Sequence, residues 1–182
     1  MRAQAVRANP HPGVHWVAGV GERLPLRTGT CAMAWVSTVV HHLDDPEAAA
    51  AELGRVLRPG APVLVRQAFP GRIDVTLYRR YFPAAEACLV VGGGLPTVEQ
   101  VEAAFGGAGF RVEDLRSVAQ VSAPSLAVYR DKVRRRADTG LRLLPDDVFA
   151  AGLAVLERDA DAETTPVPVV DRLDLLVLRR PA

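Results

Sequence analysis

His41 and His42 stand side by side at the end of an apolar run, and Ser37 and Thr38 lie just before them. Imidazole is the side chain that titrates nearest neutral pH, so either histidine at a strand end could act as a general base or contact a substrate. The alternative reading is structural: both rings bond nearby backbone and fix the entry to the following helix. The hydroxyls of Ser37 and Thr38 could meet a substrate nucleophile, or they could simply end a strand. Glu22 is the remaining carboxylate with a candidate acid role, against the plainer reading of a solvated or ion-paired loop residue. A metal centre is not expected, because only His11 and His15 supply further imidazoles and their spacing suits no ligand motif.

The elements that would position these residues can be read from pattern. Val14–Ala18, Thr30–Val36 and Ala61–Ala68 are short apolar runs bounded by Gly, Pro or polar residues, the form of strands buried on both faces. Between the last two, Asp44 or Asp45 can cap a helix, Pro46 suits its first position, and Ala49, Leu53, Val56 and Leu57 share a face. Pro59-Gly60 ends it. Strand, helix and strand of these lengths make a right-handed crossover, and His41-His42 then falls at the carboxyl end of its strand, where open α/β sheets place their ligands.

The order GVGERLPL, VSTVVHHLDD, AAAELGRVLRPG and VLVRQA resembles the second half of a class I S-adenosylmethionine-dependent methyltransferase, nearest the small-molecule subgroup of quinone biosynthesis. The resemblance implies an α/β Rossmann-like fold with a mostly parallel sheet and an antiparallel last strand. It covers Met1 to about Phe110 well. It implies that Val20, Gly21 and Glu22 face the cofactor's adenine, that Ser37 and Thr38 line its methionine portion, that His41 takes the acceptor's proton and that His42 meets the acceptor. The family's usual Asp is replaced at Val20, and another at Ala32. Its Gly-rich loop and its ribose-binding acid have no counterpart here, so the chain is expected to be a fragment of a longer enzyme. The family also implies a helical insertion over the active-site face, here 124–158. Two absent strands would lie between Val14–Ala18 and Thr30–Val36. Either the former shifts to pair with the latter, or the latter becomes an apolar open edge, a template for dimerisation or aggregation. The rival readings are a non-catalytic interaction protein using that edge and a bare methyltransferase-like remnant.

Gly19-Val20-Gly21 is a decoy for a dinucleotide motif, since position 24 is Leu and no helix pattern follows. At 182 residues the chain is one domain by length. With 22 Lys+Arg against 21 Asp+Glu, nothing favours long-range attraction to nucleic acid or an acidic membrane. The run Arg130–Arg136 spreads its charge around a helix and lacks interleaved aromatics for base stacking. Cys31 and Cys88 form no paired motif and are expected reduced and buried. No run is apolar enough to span a bilayer, and a cytoplasmic location is expected.

Further along, Ile73–Phe82 has helical spacing, and Leu89–Pro96 reads as a turn or loop. Thr97 and Gln100 form a capping-box pattern for a helix ending at Gly109. Phe110–Val121 reads as a strand, Pro124–Thr139 and Pro145–Arg158 as helices, Ala160–Pro168 as a loop and Val169–Arg179 as the last strand.

Overall fold

The computed structural model describes residues 2–8, 11–72, 74, 77–91 and 94–181. Helix α1 (Arg2–Ala8) is followed by a long irregular stretch, then strand β1 (Ala34–Ser37) and a 3-10 turn, Val40–His42. Helix α2 (Pro46–Val56) leads into β2 (Pro62–Gln67). A π-helical turn, Leu77–Tyr81, precedes α3 (Pro83–Val91) and α4 (Val98–Gly107), and β3 covers Arg111–Ala123. Helices α5 (Leu126–Val133), α6 (Thr139–Leu143) and α7 (Asp146–Asp161) come before β4 (Val169–Arg179).

Local chemistry sets the ends of α2. The Asp45 carboxylate accepts the Ala48 N–H at 2.9 Å, Pro46 occupies the first turn, and Gly60 takes φ +71 beyond the carboxyl end. In α4 both halves of the capping box form: Thr97 Oγ1 accepts the Gln100 N–H at 3.2 Å, and Gln100 Oε1 accepts the Thr97 N–H at 2.8 Å.

The sheet order is β1-β2-β4-β3. β1 and β2 are parallel, whereas β4 lies antiparallel between β2 and β3, as expected of the last strand. The α/β class holds, but a mostly parallel sheet does not: one pair is parallel and two are antiparallel. The long hairpin-like ladder of β3 and β4 outweighs the single crossover.

Val14–Ala18 is not a strand. It runs without regular structure, with Val14, Trp16 and Val17 exposed, because it has no neighbour to take its backbone N–H and C=O groups. Among the described residues β1 pairs with β2 alone, so its other edge is open. β1 also begins later than Thr30, since the Gly29, Thr30 and Cys31 N–H groups are spent on the Arg55 and Val56 carbonyls at the end of α2. The Ile73–Phe82 helix is seen from Leu77 as a π-turn, with Ile73 outside the described residues. Helix α3 takes up Leu89–Val91, and Gly92 and Gly93 of the expected loop also lie outside them. The segment read as Pro124–Thr139 breaks after Val133, where Arg136 adopts φ +46, and α7 continues past Arg158 to Asp161. Cys31 and Cys88 are free thiols, and both are half-buried rather than buried.

The core has two parts. Val63 and Val65 of β2 and Leu176 and Leu178 of β4 pack against Ala50, Val101 and Phe105 from α2 and α4. Beyond the end of the sheet, Leu77, Phe82, Tyr129, Leu141 and Leu156 form the second cluster. The register puts Trp35, Leu64 and Val118 on the opposite sheet face, where Trp35 is 53% and Val118 43% exposed.

Candidate functional site

The carboxyl ends of β1 and β2 open onto a cavity of about 410 Å³. Thr38, His41 and His42 form one wall, Gln67 and Ala68 at the end of β2 another, and Gln120, Ser122, Asp171 and Leu173 of the β3–β4 ladder a third. Tyr129, Lys132, Val133, Asp138, Thr139 and Leu141, all from the helical segment after β3, close the far side.

Thr38 turns the chain from β1 into the histidine-bearing 3-10 turn. Its φ is +51, a left-handed conformation that a β-branched residue adopts at a cost of about 1–3 kcal/mol. Its N–H donates to the Arg66 carbonyl at 2.8 Å, which locks the turn to β2, and its hydroxyl donates back to the Ser37 carbonyl at 2.8 Å. The His41 and His42 rings then lie 4.0 Å apart between centroids. Nδ1 of His41 is buried and has no hydrogen-bond partner among the described residues. Burial, and next the neighbouring His42, lower the His41 pKa from its ordinary 6.5, so the neutral imidazole is favoured.

Ser37 points elsewhere. Its Oγ accepts from Arg66 at 3.1 Å, and the same guanidinium bonds Gln120. Val20, Gly21 and Glu22 are not among the cavity's lining residues; Gly21 and Glu22 pack behind the same turn, and Val20 is exposed beside them. Val20 and Arg23 form a tight isolated bridge, and the Arg23 N–H donates to the Val20 carbonyl at 3.1 Å. Gly21 lies so near Leu43 that a Cβ would sit 2.5 Å from its Cδ2. Glu22 Oε1 accepts the Asp44 and Asp45 N–H groups at 3.1 and 3.2 Å. Those bonds, after the one from its own N–H, lower its pKa below the usual carboxylate value. The structure therefore brings Thr38, His41 and His42 together in the cavity and leaves Ser37, Val20, Gly21 and Glu22 outside it.

Four residues that the sequence reading passed over also line the cavity. Tyr129 is 3% exposed and burial raises the pKa of its phenol, so it stays protonated. Ser122 donates to the buried Asp171 carboxylate. Gln67 is 1% exposed, and neither its Oε1 nor its Nε2 has a partner among the described residues. Its one sequence signal is a polar residue closing an apolar run at a strand's carboxyl end.

The comparisons with known proteins bear on the fold. Residues 1–65 match the family model described as a methyltransferase domain. The chain has a class I methyltransferase fold. Its solved neighbours include the [4+2]-cyclase SpnF, at 19% identity with TM-score 0.54, covering 99% of this chain and 61% of that one. A Thermotoga maritima S-adenosylmethionine-dependent methyltransferase, described as a possible histamine N-methyltransferase, is 18% identical with TM-score 0.54, over 98% and 68% of the two chains. A complex of the Haloferax volcanii Trm112 methyltransferase activator with a protein described as a methyltransferase gives 16% identity and TM-score 0.56, over 100% and 68%. The methyltransferase-fold chain thus spans 61% of the length of the first of these relatives. No curated protein matches it in sequence. Among the described residues no helix is long and apolar enough to cross a membrane.

Among the described residues the cofactor side keeps backbone groups but few free polar side chains. The side chains that the resemblance assigns to the cofactor are spent within the fold: Glu22 on the entry to α2, Ser37 on Arg66 and the Thr38 hydroxyl on the Ser37 carbonyl. The Val20 side chain, 58% exposed, offers no polar group in place of the family's Asp.

Proposed function

We propose that this chain is the acceptor-binding part of a cytoplasmic methyltransferase that transfers a methyl group from S-adenosylmethionine to a small molecule. The observation that carries the reading is the cavity at the carboxyl ends of the parallel pair β1 and β2, strands that fall in the stretch matching the methyltransferase domain or run just past its end. The segment 124–158 serves as the outer wall of the acceptor pocket, since Tyr129, Lys132 and Leu141 already line it. His41, held neutral, takes the acceptor's proton, and His42 orients the acceptor beside it. Much of the rate in such a transfer comes from holding the acceptor in line, which a walled cavity supplies. Val20, Gly21, Glu22, Ser37 and Thr38 remain our candidates for the cofactor side, with the backbone of Gly21 and Glu22 the part still available for hydrogen bonding to an adenine ring.

The test is calorimetric titration of the 182-residue chain with S-adenosylmethionine, run beside S-adenosylhomocysteine. Micromolar binding, about −8 kcal/mol, is the expected result. No heat from a folded sample would sink the reading for this chain alone and favour the second one.

That second reading is a non-catalytic methyltransferase-like protein that pairs through β1, with another copy as partner. It is favoured by the edge of β1 left unpaired among the described residues, with exposed Trp35 on it and exposed Met33 just before it. The archaeal neighbour in complex with an activator offers a precedent for pairing on this fold. A shared fold does not fix the reaction, as the neighbour named a cyclase illustrates.

A further inference from the structure

Gln67 lines the cavity and has no part in the proposed chemistry. It ends β2 beside Ala68, one residue from Arg66, and only 1% of it is exposed. Both polar atoms of its amide are closed off from solvent with no hydrogen bond among the described residues. Buried polar groups are ordinarily paired, and leaving them unmade costs stability, so an unpaired pair in a cavity wall marks a contact that something else completes. The residue lines the cavity, and a change in its side-chain torsions is what brings the amide to a ligand there.

The charged groups around it are committed. Arg66 bonds Ser37 and Gln120. Asp174, opposite Gln67 in the register, takes Arg72 at 2.6 and 3.2 Å, and Asp171 accepts from Ser122. On the far wall Lys132 and Asp138 carry opposite charges. The end of the cavity at Gln67 is thus neutral in sum, with an uncharged group to offer that is donor and acceptor at once. The amide's oxygen and nitrogen lie side by side in one plane, and the complement of that edge is a planar group with an acceptor beside a donor. An anion leaves the amide oxygen facing negative charge, a cation leaves the amide N–H unused, and a bare ketone satisfies one atom of two. The match is the same whichever way round the amide is placed. Leu77, Leu95, Leu141 and Leu173 supply apolar wall for the body of the ligand, and about 410 Å³ lies within the range of small-molecule sites, roughly 300–1,000 Å³.

We propose that Gln67 determines acceptor specificity, and that the ligand is an uncharged small molecule carrying a carbonyl oxygen beside an N–H or O–H donor, of carboxamide or hydroxy-ketone type. This rests on the acceptor-site reading above. The probes are four matched ring compounds, benzamide, benzoate, benzylamine and acetophenone, titrated against the full chain by ligand-observed NMR. Benzamide is expected to bind at least tenfold more tightly than each of the others. Gln67→Leu is expected to bring benzamide within about twofold of acetophenone while leaving the melting temperature unchanged or higher, since an unpaired amide has been removed. Gln67→Met serves if the leucine variant fails to fold. Tighter binding of benzoate or benzylamine, a benzamide preference that survives Gln67→Leu, or no binding of any of the four would each overturn the proposal. The S-adenosylhomocysteine titration is independent of this one, so loss of cofactor binding with the benzamide preference intact would refute the methyltransferase reading and leave the Gln67 site standing.

Discussion

His41 owes its chemistry to where Thr38 places it. Its folded-state pKa lies below the ordinary 6.5, so the unfolded chain takes up a proton first as pH falls. The neutral ring's contribution to stability is therefore complete above about pH 6.5 and is lost as pH drops through the folded value. Melting temperatures of the wild-type chain and of His41→Phe, measured from pH 8 to 5, should separate in this sense: the wild type loses more on acidification below about 6.5, and parallel curves would refute the desolvation. Glu22 and Glu52 do not interfere, since hydrogen bonds hold both below the usual carboxylate value, Glu52 at about 2 beside Arg55. The histidine pair and Thr38 were legible in the sequence, because a strand end followed by a helix cap is a local pattern. Gln67 was not, for its importance lies in the absence of a partner once β2 is buried, and no neighbour in sequence reports that. Glu22 was read as an adenine contact or a loop acid, and its bond to α2 is a meeting across 22 residues that pattern cannot show.

Among the elements, α2 and α4 were legible nearly to the residue, since their ends are set by side chains three positions away from the backbone groups they satisfy. Val14–Ala18 failed because a strand exists only with its neighbour, and composition alone does not supply one. Helix α6 escaped notice although Asp138 caps it by accepting the Gly140 and Leu141 N–H groups at 2.9 and 3.4 Å. Gly152 shows packing overruling propensity. In the middle of α7 a glycine is worth about 1 kcal/mol less than alanine. Yet a Cβ there would lie 2.5 and 2.6 Å from ring atoms of Phe82 and 2.6 Å from the Tyr81 carbonyl oxygen. Overpacking costs about 1–3 kcal/mol, and with three contacts this short, one of them to backbone, the upper part of that range applies. Gly152→Ala is expected to lower stability by about 1–2 kcal/mol in denaturant unfolding, despite the better helix former. An increase would mean that α7 shifts away from Phe82 at little cost.

At the scale of the molecule, burial is uneven along the chain. The first fully buried side chain among the described residues is Val40, and both tryptophans, Trp16 and Trp35, are exposed, at 38% and 53%. The buried members of the two clusters run from Val40 onward; before it Cys31, Ala34 and Val36 pack half-buried against one of them, and the rest contributes mostly exposed surface. That surface borders the unpaired edge of β1, and a short edge strand with Met33 and Trp35 beside it has neither the charge nor the cover that usually blunts such an edge. The second functional reading turns on this point. If β1 is the contact between two copies, light scattering on the wild-type chain should give a dimer mass that falls on dilution. Trp35→Lys should then be monomeric at every concentration, because a charge on the edge strand disfavours pairing. The substitution lies on the exposed sheet face and away from the cavity, so the Gln67-dependent preference for benzamide should be retained. A wild-type chain that is monomeric throughout would remove the argument for the interaction protein and leave the acceptor cavity as the functional feature of the fold.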